Sequence, residues 1–256
     1  VSGAEKGCVG IVDWGIGGTG IYRLLKERRP ETPVVYLSDT GVMPYGQMGR
    51  QELRERLIRV REELVRRGAT HLVVACNAAS TALPELSRGD LPIVGMIEPA
   101  VRALVRLEPR KAGLIGGRRT VLSGIFRREL ERHGIAVRSR VSQPLSARIE
   151  DGDTGSPELE AECRRILAPL YQCSHVLLAC THYPAILPLL RRYVSPQTLL
   201  VDPARAVVDE ILSLPDLPEG GGSGDRFLTT GDERAMRRAV RNAFGVEIEG
   251  AQRIAI

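Results

Sequence analysis

The chain has 256 residues, of which 43% are hydrophobic and 26% charged, enough to bury one sizeable core or two small ones. Its net charge of +5 comes from arginine, lysine being confined to Lys6, Lys26 and Lys111, and with 4% aromatic residues and no recognition motif no nucleic-acid partner is expected. No apolar run approaches the roughly 20 residues of a membrane span, and the first residues, VSGAEKGCVG, lack the apolar core of a signal peptide, so a cytoplasmic protein with no membrane partner is expected.

In chain order, short β-branched runs alternate with helical patterns. VGIVD from Val9 and VVYLSD from Val34 read as strands. From Arg50 to Gly68, Leu53, Leu57, Val60 and Leu64 recur at helical spacing with arginines and glutamates between them, the pattern of an amphipathic helix with a solvated charged face. HLVVACN from His71 and PIVGM from Pro92 follow as strands, then AGLIGG from Ala112, a weaker VRSRVS from Val137, HVLLACT from His175 and TLLVD from Thr198. PEGGGSGD around Gly221 reads as a surface loop. Strands alternating with helices predict an α/β fold with mostly parallel sheets flanked by helices, its reactive residues just past the carboxyl ends of the strands.

The phrase HLVVACN is echoed by HVLLACT, 104 positions later. Each is a histidine, three aliphatic residues, alanine and cysteine, then a small polar residue. Two pseudosymmetric α/β domains account for the echo, with the active site in the cleft between them. The expected division gives residues 1–98 plus 207–256 to a first domain with Asp13 and Cys76, and 99–206 to a second with Cys180 and His182. Glu98-Pro99 marks the first boundary.

Gly15-Ile-Gly17-Gly-Thr-Gly20 formally satisfies the GxGxxG pattern of a dinucleotide site, and Asp39 stands about where a ribose-binding acid would. That assignment leaves both repeated cysteines unexplained. The turn is better read as carrying Asp13 and offering backbone N–H groups to a substrate carboxylate. The five cysteines include no CxxC pair, which argues against a disulfide framework or a metal site. Cys8, Cys163 and Cys173 read as buried hydrophobes. Cys76 and Cys180, at equivalent strand ends, read as reactive. Two thiols on opposite walls of a cleft suit the inversion of a carbon stereocentre, one removing a proton while the other delivers one. Asp13 and His182 are the neighbours fitted to tune them.

In order along nearly the whole chain stand VDWGIGG at Val12, LSDTGVMPYG at Leu37, VVACNAAS at Val73, IVGMIEPAVRA at Ile93, LIGGRRT at Leu114, IEDG at Ile149, ACTHYPAILPLL at Ala179, VDPA at Val201 and TTGD at Thr229. With these segments the chain resembles the glutamate racemase branch of the aspartate/glutamate racemase superfamily. The resemblance implies a cofactor-independent racemase that makes D-glutamate for the cell wall, often as a homodimer, with a small amino-acid or carboxylic-acid substrate. It implies that Cys76 and Cys180 are the catalytic thiols, Asp13 and His182 their respective neighbours, and Glu150 an assisting glutamate. Pro44, Tyr45, Gly46, Asn77 and Thr181 match segments that hold the amino acid.

The departures fall on the same segments. Trp14 stands where the family usually has serine, Ala78 where it has threonine, and Gly117 where a hydroxyl is usual, with Thr120 downstream. Each lost hydrogen bond to a charged group costs roughly 1.5–3 kcal/mol, so a changed carboxylate substrate is the alternative implied. Retention of both thiols argues against a same-fold decarboxylase, which needs one. Arg118, Arg119 and Arg148, in or beside these motifs, are expected to be solvated surface groups.

Overall fold

The computed structural model describes residues 7–86, 90–220 and 224–256. The N-terminal residues 1–6 and the tip of the loop expected around Gly221, residues 221–223, lie outside them. Every strand expected from the sequence forms: β1 (Cys8–Asp13), β2 (Val34–Ser38), β3 (Ala69–Val74), β4 (Ile93–Gly95), β5 (Lys111–Gly116), β6 (Ala136–Val141), β7 (His175–Ala179) and β8 (Leu199–Val201). Two further short strands, β9 (Arg226–Thr229) and β10 (Gln252–Arg253), were not anticipated.

The strands form two sheets, in the orders β10-β9-β2-β1-β3-β4 and β6-β5-β7-β8, with every pairing parallel. The run β2-β1-β3-β4 therefore repeats the order β6-β5-β7-β8. Two domains of this kind face each other across a cleft, and the echoed phrases occupy equivalent strands, β3 and β7. Helices lie on both faces of each sheet, which is why β1, β2 and the inner part of β3 are buried throughout and read as continuous apolar runs. Glu98 and Pro99 fall in the first turn of the helix Ile97–Val105, whose buried Ile97, Ala100, Val101 and Leu104 pack with Ala112 and Leu114 of the second sheet. The helix Ala204–Leu212 turns Val207, Val208 and Ile211 into the core beneath the first sheet.

The helix Arg50–Arg66 forms, with Leu53, Leu57, Val60 and Leu64 buried. Its charged residues do not all face solvent, however. Arg56 is 4% exposed and Glu63 3%. Arg56 reaches Asp39, just past β2, with Nε donating to Oδ2 at 2.8 Å and Nη2 donating to Oδ1. Tyr45 Oη and Thr230 Oγ1 donate to the same carboxylate at 2.6 and 2.8 Å. Asp39 is thus saturated, which removes the ribose-binding role that its position after a strand suggested. The cluster ties the Tyr45 loop to the first sheet. Removing one partner of a buried ion pair strands the other's charge. Asp39→Ala is therefore expected to lower stability by about 3–5 kcal/mol, read as a fall in the urea midpoint at unchanged slope.

Candidate active site

The carboxyl ends of β1, β3, β5 and β7 converge on a cavity of about 240 Å³ lined from both halves. Asp13, Trp14, Pro44, Tyr45, Gly46, Cys76, Asn77 and Ala78 come from the first; Gly117, Thr120, Cys180, Thr181 and His182 come from the second. Every expected site residue except Glu150 is on this wall.

Asp13 ends β1 and is fully buried. Its carboxylate accepts the backbone N–H of Trp14 at 2.7 Å and of Gly18 at 2.8 Å, and the hydroxyl of Thr181, from the other half, at 2.8 Å. Burial pushes its pKa up, against the pull of the His182 charge and of hydrogen bonds from Thr181 and Cys76. Cys76 follows β3 and opens the short helix Asn77–Ser80. Burial, then the neighbouring Asp13 charge, hold its thiol well above the ordinary range, although the Ala79 N–H favours the thiolate; the charge of Cys180 across the cavity adds to the rise. At neutral pH Cys76 is a protonated acid.

The second thiol has a different partner. Cys180 Sγ lies 3.7 Å from Nδ1 of His182, and Nε2 of the same ring is 2.7 Å from Glu150 Oε2. Burial alone would lower the histidine's pKa, but its bonds to Cys180 and Glu150, and their charges, outweigh burial and raise it well above 6.5. The raised pKa favours the imidazolium form of His182, in which both ring nitrogens donate. Glu150 does not reach the cavity. It stands behind His182 and also accepts the N–H of Ile16 at 2.9 Å.

The glycine turn now has a steric explanation. A Cβ at Gly15 would sit 2.0 Å from Glu150 Oε2, and one at Gly17 2.4 Å from Thr181 Oγ1 and 2.7 Å from His182 Nδ1. Residues of the second half press against this backbone, leaving no room for side chains. The N–H groups of Trp14, Ile16 and Gly18 are spent on Asp13 and Glu150. For these three groups, the expectation that the turn offers its N–H groups to a substrate carboxylate is corrected.

Trp14 is half-buried, its ring on the cavity wall and its indole N–H donating to the Val42 carbonyl at 3.0 Å. It offers substrate an apolar face and no hydrogen bond. Tyr45 likewise spends its hydroxyl on Asp39. Asn77 is 3% exposed and its side-chain oxygen and nitrogen have no hydrogen-bond partner among the described residues; an unsatisfied buried amide costs about 1–3 kcal/mol, which a ligand would relieve. Arg119 departs from its expected surface role. Its Nε donates to Thr81 Oγ1 at 3.0 Å and its Nη1 to the Met48 carbonyl at 2.9 Å, so it bridges the halves beside the cavity. Arg118 is exposed, and Arg148 pairs with Asp153 at 3.4 Å.

Sequence reasoning missed Gln47, Gln143, Pro144, Ser146, Ala147 and Ala179 on the cavity wall. A signal existed for three of them. Gln143, Ser146 and Ala147 precede Glu150 by seven, four and three residues in the helix Gln143–Glu150, so they share its face.

Residues 17–211 match the family described as Asp/Glu/Hydantoin racemase. The chain belongs to this racemase family. The Asp/Glu racemase fold is also found in a glutamate racemase from Thermus thermophilus, solved in complex with beta-chloro-D-alanine, which is similar at 30% identity with a TM-score of 0.86, covering 98% of each chain. A glutamate racemase isoform from Bacillus anthracis superposes with a TM-score of 0.91 over 99% of each chain at 23% identity, a likeness of fold. Among racemases known by sequence, the glutamate racemase of Deinococcus radiodurans is 35% identical over 247 residues, 90% of this chain and 83% of its own length.

Because His182 has a raised pKa in the folded protein, its ionisation stabilises the fold below its unfolded value near 6.5, and that contribution is lost as pH rises through the folded value. Glu150→Gln removes one of the interactions that raise it. The imidazole titration, followed by NMR, is expected to move down toward 6.5, and the alkaline loss of stability to shift to lower pH with it.

Proposed function

We propose that this racemase interconverts L- and D-glutamate without a cofactor, by proton transfer between Cys76 and Cys180 at the α carbon. The carrying observation is that both thiols line one small cavity from equivalent strand ends of opposite sheets, each with its own proton partner. One thiolate takes the α hydrogen as a proton. The C–H electron pair moves into the α carboxylate, and the opposing thiol gives its proton to the other face. Asp13 accepts from the Cys76 thiol and holds it protonated, ready to deliver its proton, while the His182 imidazolium donates to the sulfur of Cys180. Asn77, Thr120 and Thr181 are assigned to the substrate's polar groups, with Pro44, Tyr45 and Gly46 shaping the wall beside them.

A homodimer and a place in cell-wall peptidoglycan biogenesis go with this assignment. Among the described residues no helix is long and apolar enough to cross a membrane, and all five cysteines are free thiols, which supports a cytoplasmic location.

Incubation with L-glutamate in deuterated water is expected to wash deuterium into the α position as D-glutamate accumulates; no exchange at high enzyme concentration would defeat the proposal. Cys76→Ala and Cys180→Ala are each expected to slow racemisation by at least about 10²-fold. Because each removes the base for one face, exchange should fall more for one enantiomer, in opposite senses for the two variants.

One observation favours a second substrate. Trp14, Pro44, Ala78, Pro144 and Ala147 give the cavity an apolar side, suited to a racemase, epimerase or isomerase acting on a less polar carboxylate. On that reading Trp14→Ser/Ala78→Thr raises kcat/KM for glutamate by about tenfold or more, the worth of one hydrogen bond to a charged group. An unchanged or lower value rules it out.

A further inference from the structure

Gln143 opens the helix that ends in Glu150. Its Oε1 accepts the backbone N–H of Arg118 at 3.1 Å, and its Nε2 donates to Ser146 Oγ at 3.3 Å. Ser146 in turn donates its hydroxyl to the Gln143 carbonyl at 2.9 Å. A backbone N–H can only donate, so the amide oxygen is fixed toward Arg118 and the NH₂ group takes the other direction. One of its hydrogens serves Ser146. The second remains to donate.

The space around this carboxamide is made by two glycines from opposite halves. A Cβ at Gly117 would lie 3.0 Å from Gln143 Oε1, and one at Gly46 3.1 Å from the same atom. The glutamine therefore occupies room that a side chain at 117 would have used. Among the described residues no arginine or lysine lines the cavity, so a substrate carboxylate there is met by neutral donors, with the His182 imidazolium committed to Cys180 and Glu150.

We propose that Gln143 is a specificity-determining residue, its amide N–H donating to the side-chain carboxylate of a dicarboxylic amino acid in place of a hydroxyl at position 117. This rests on the glutamate assignment above. The distal carboxylate does not change charge during proton transfer, so the contact acts alike in ground and transition states and appears in KM rather than kcat.

The test is a double-mutant cycle with L- and D-glutamate, accompanied by α-hydrogen exchange in deuterated water. Gln143→Ala is expected to raise KM roughly 10- to 100-fold with kcat little changed, the loss expected for one hydrogen bond to a charged group. Gly117→Thr alone should also raise KM, because its Cβ meets the glutamine. Gly117→Thr/Gln143→Ala should bind glutamate better than Gln143→Ala alone, the hydroxyl returning to vacated space. Gln143→Glu, placing a like charge against the carboxylate, should raise KM for glutamate more than for the uncharged side chain of glutamine. Should Gln143→Ala fail to fold, Gln143→Asn carries the same readout with a shortened donor. Wild-type exchange with an unchanged KM for Gln143→Ala, or equal cost of Gly117→Thr in both backgrounds, overturns the role of Gln143 alone. Absence of exchange in the wild type overturns the glutamate assignment, and this one with it.

Discussion

The carboxylate of Asp13 holds the site together. It is buried at the end of β1, it accepts two backbone N–H groups of its own turn, and it takes the Thr181 hydroxyl from the opposite half. The same group is bonded to the Cys76 thiol and feels the His182 charge. A buried carboxylate is costly unless its lone pairs are filled. Here they are filled only when the two halves are in register across the cleft. The geometry that satisfies Asp13 therefore also brings the two thiols to one cavity.

The scaffold is repeated but its electrostatics are not. β2-β1-β3-β4 and β6-β5-β7-β8 deliver Cys76 and Cys180 to equivalent positions. On one side the thiol faces a carboxylate and is held protonated. On the other the sulfur faces an imidazolium backed by Glu150. Two thiols in identical surroundings would titrate alike. Unlike partners set the two thiols apart, one held as an acid beside a carboxylate and the other lying beside the His182 ring.

Much of this was legible in the sequence because it rested on local pattern. The apolar runs ending in Cys76 and Cys180 announced themselves as buried strands, and strand ends in parallel α/β folds locate reactive groups. β9 and β10, four and two residues long, carry too little pattern to be read, since they are strands only by pairing with β2 and with each other. Arg56 looked like every other arginine on its helix; its burial follows from Asp39, seventeen residues away and on another element. Glu150 was found through its motif, but its place behind His182 is a tertiary fact. The histidines that open the two repeated phrases had no part in the site. His71 bonds the Pro215 carbonyl and Thr70, and His175 bonds Ser174, at the far ends of β3 and β7 from the thiols.

The substitutions at Trp14, Ala78 and Gly117 look, in sequence, like a loss of polarity. The cavity suggests a redistribution instead. The indole N–H is absorbed by Val42, so the ring adds apolar surface at no hydrogen-bonding cost. The space above Gly117 is taken by Gln143, whose amide has more donors than the hydroxyl it stands in for. Ser146, on the same helix face, anchors that amide. Polarity has moved from the strand ends to the helix Gln143–Glu150, which already holds His182 through Glu150. One rigid element thus contacts both the proton-transfer machinery and the substrate wall, and a shift of that helix would be felt by both at once.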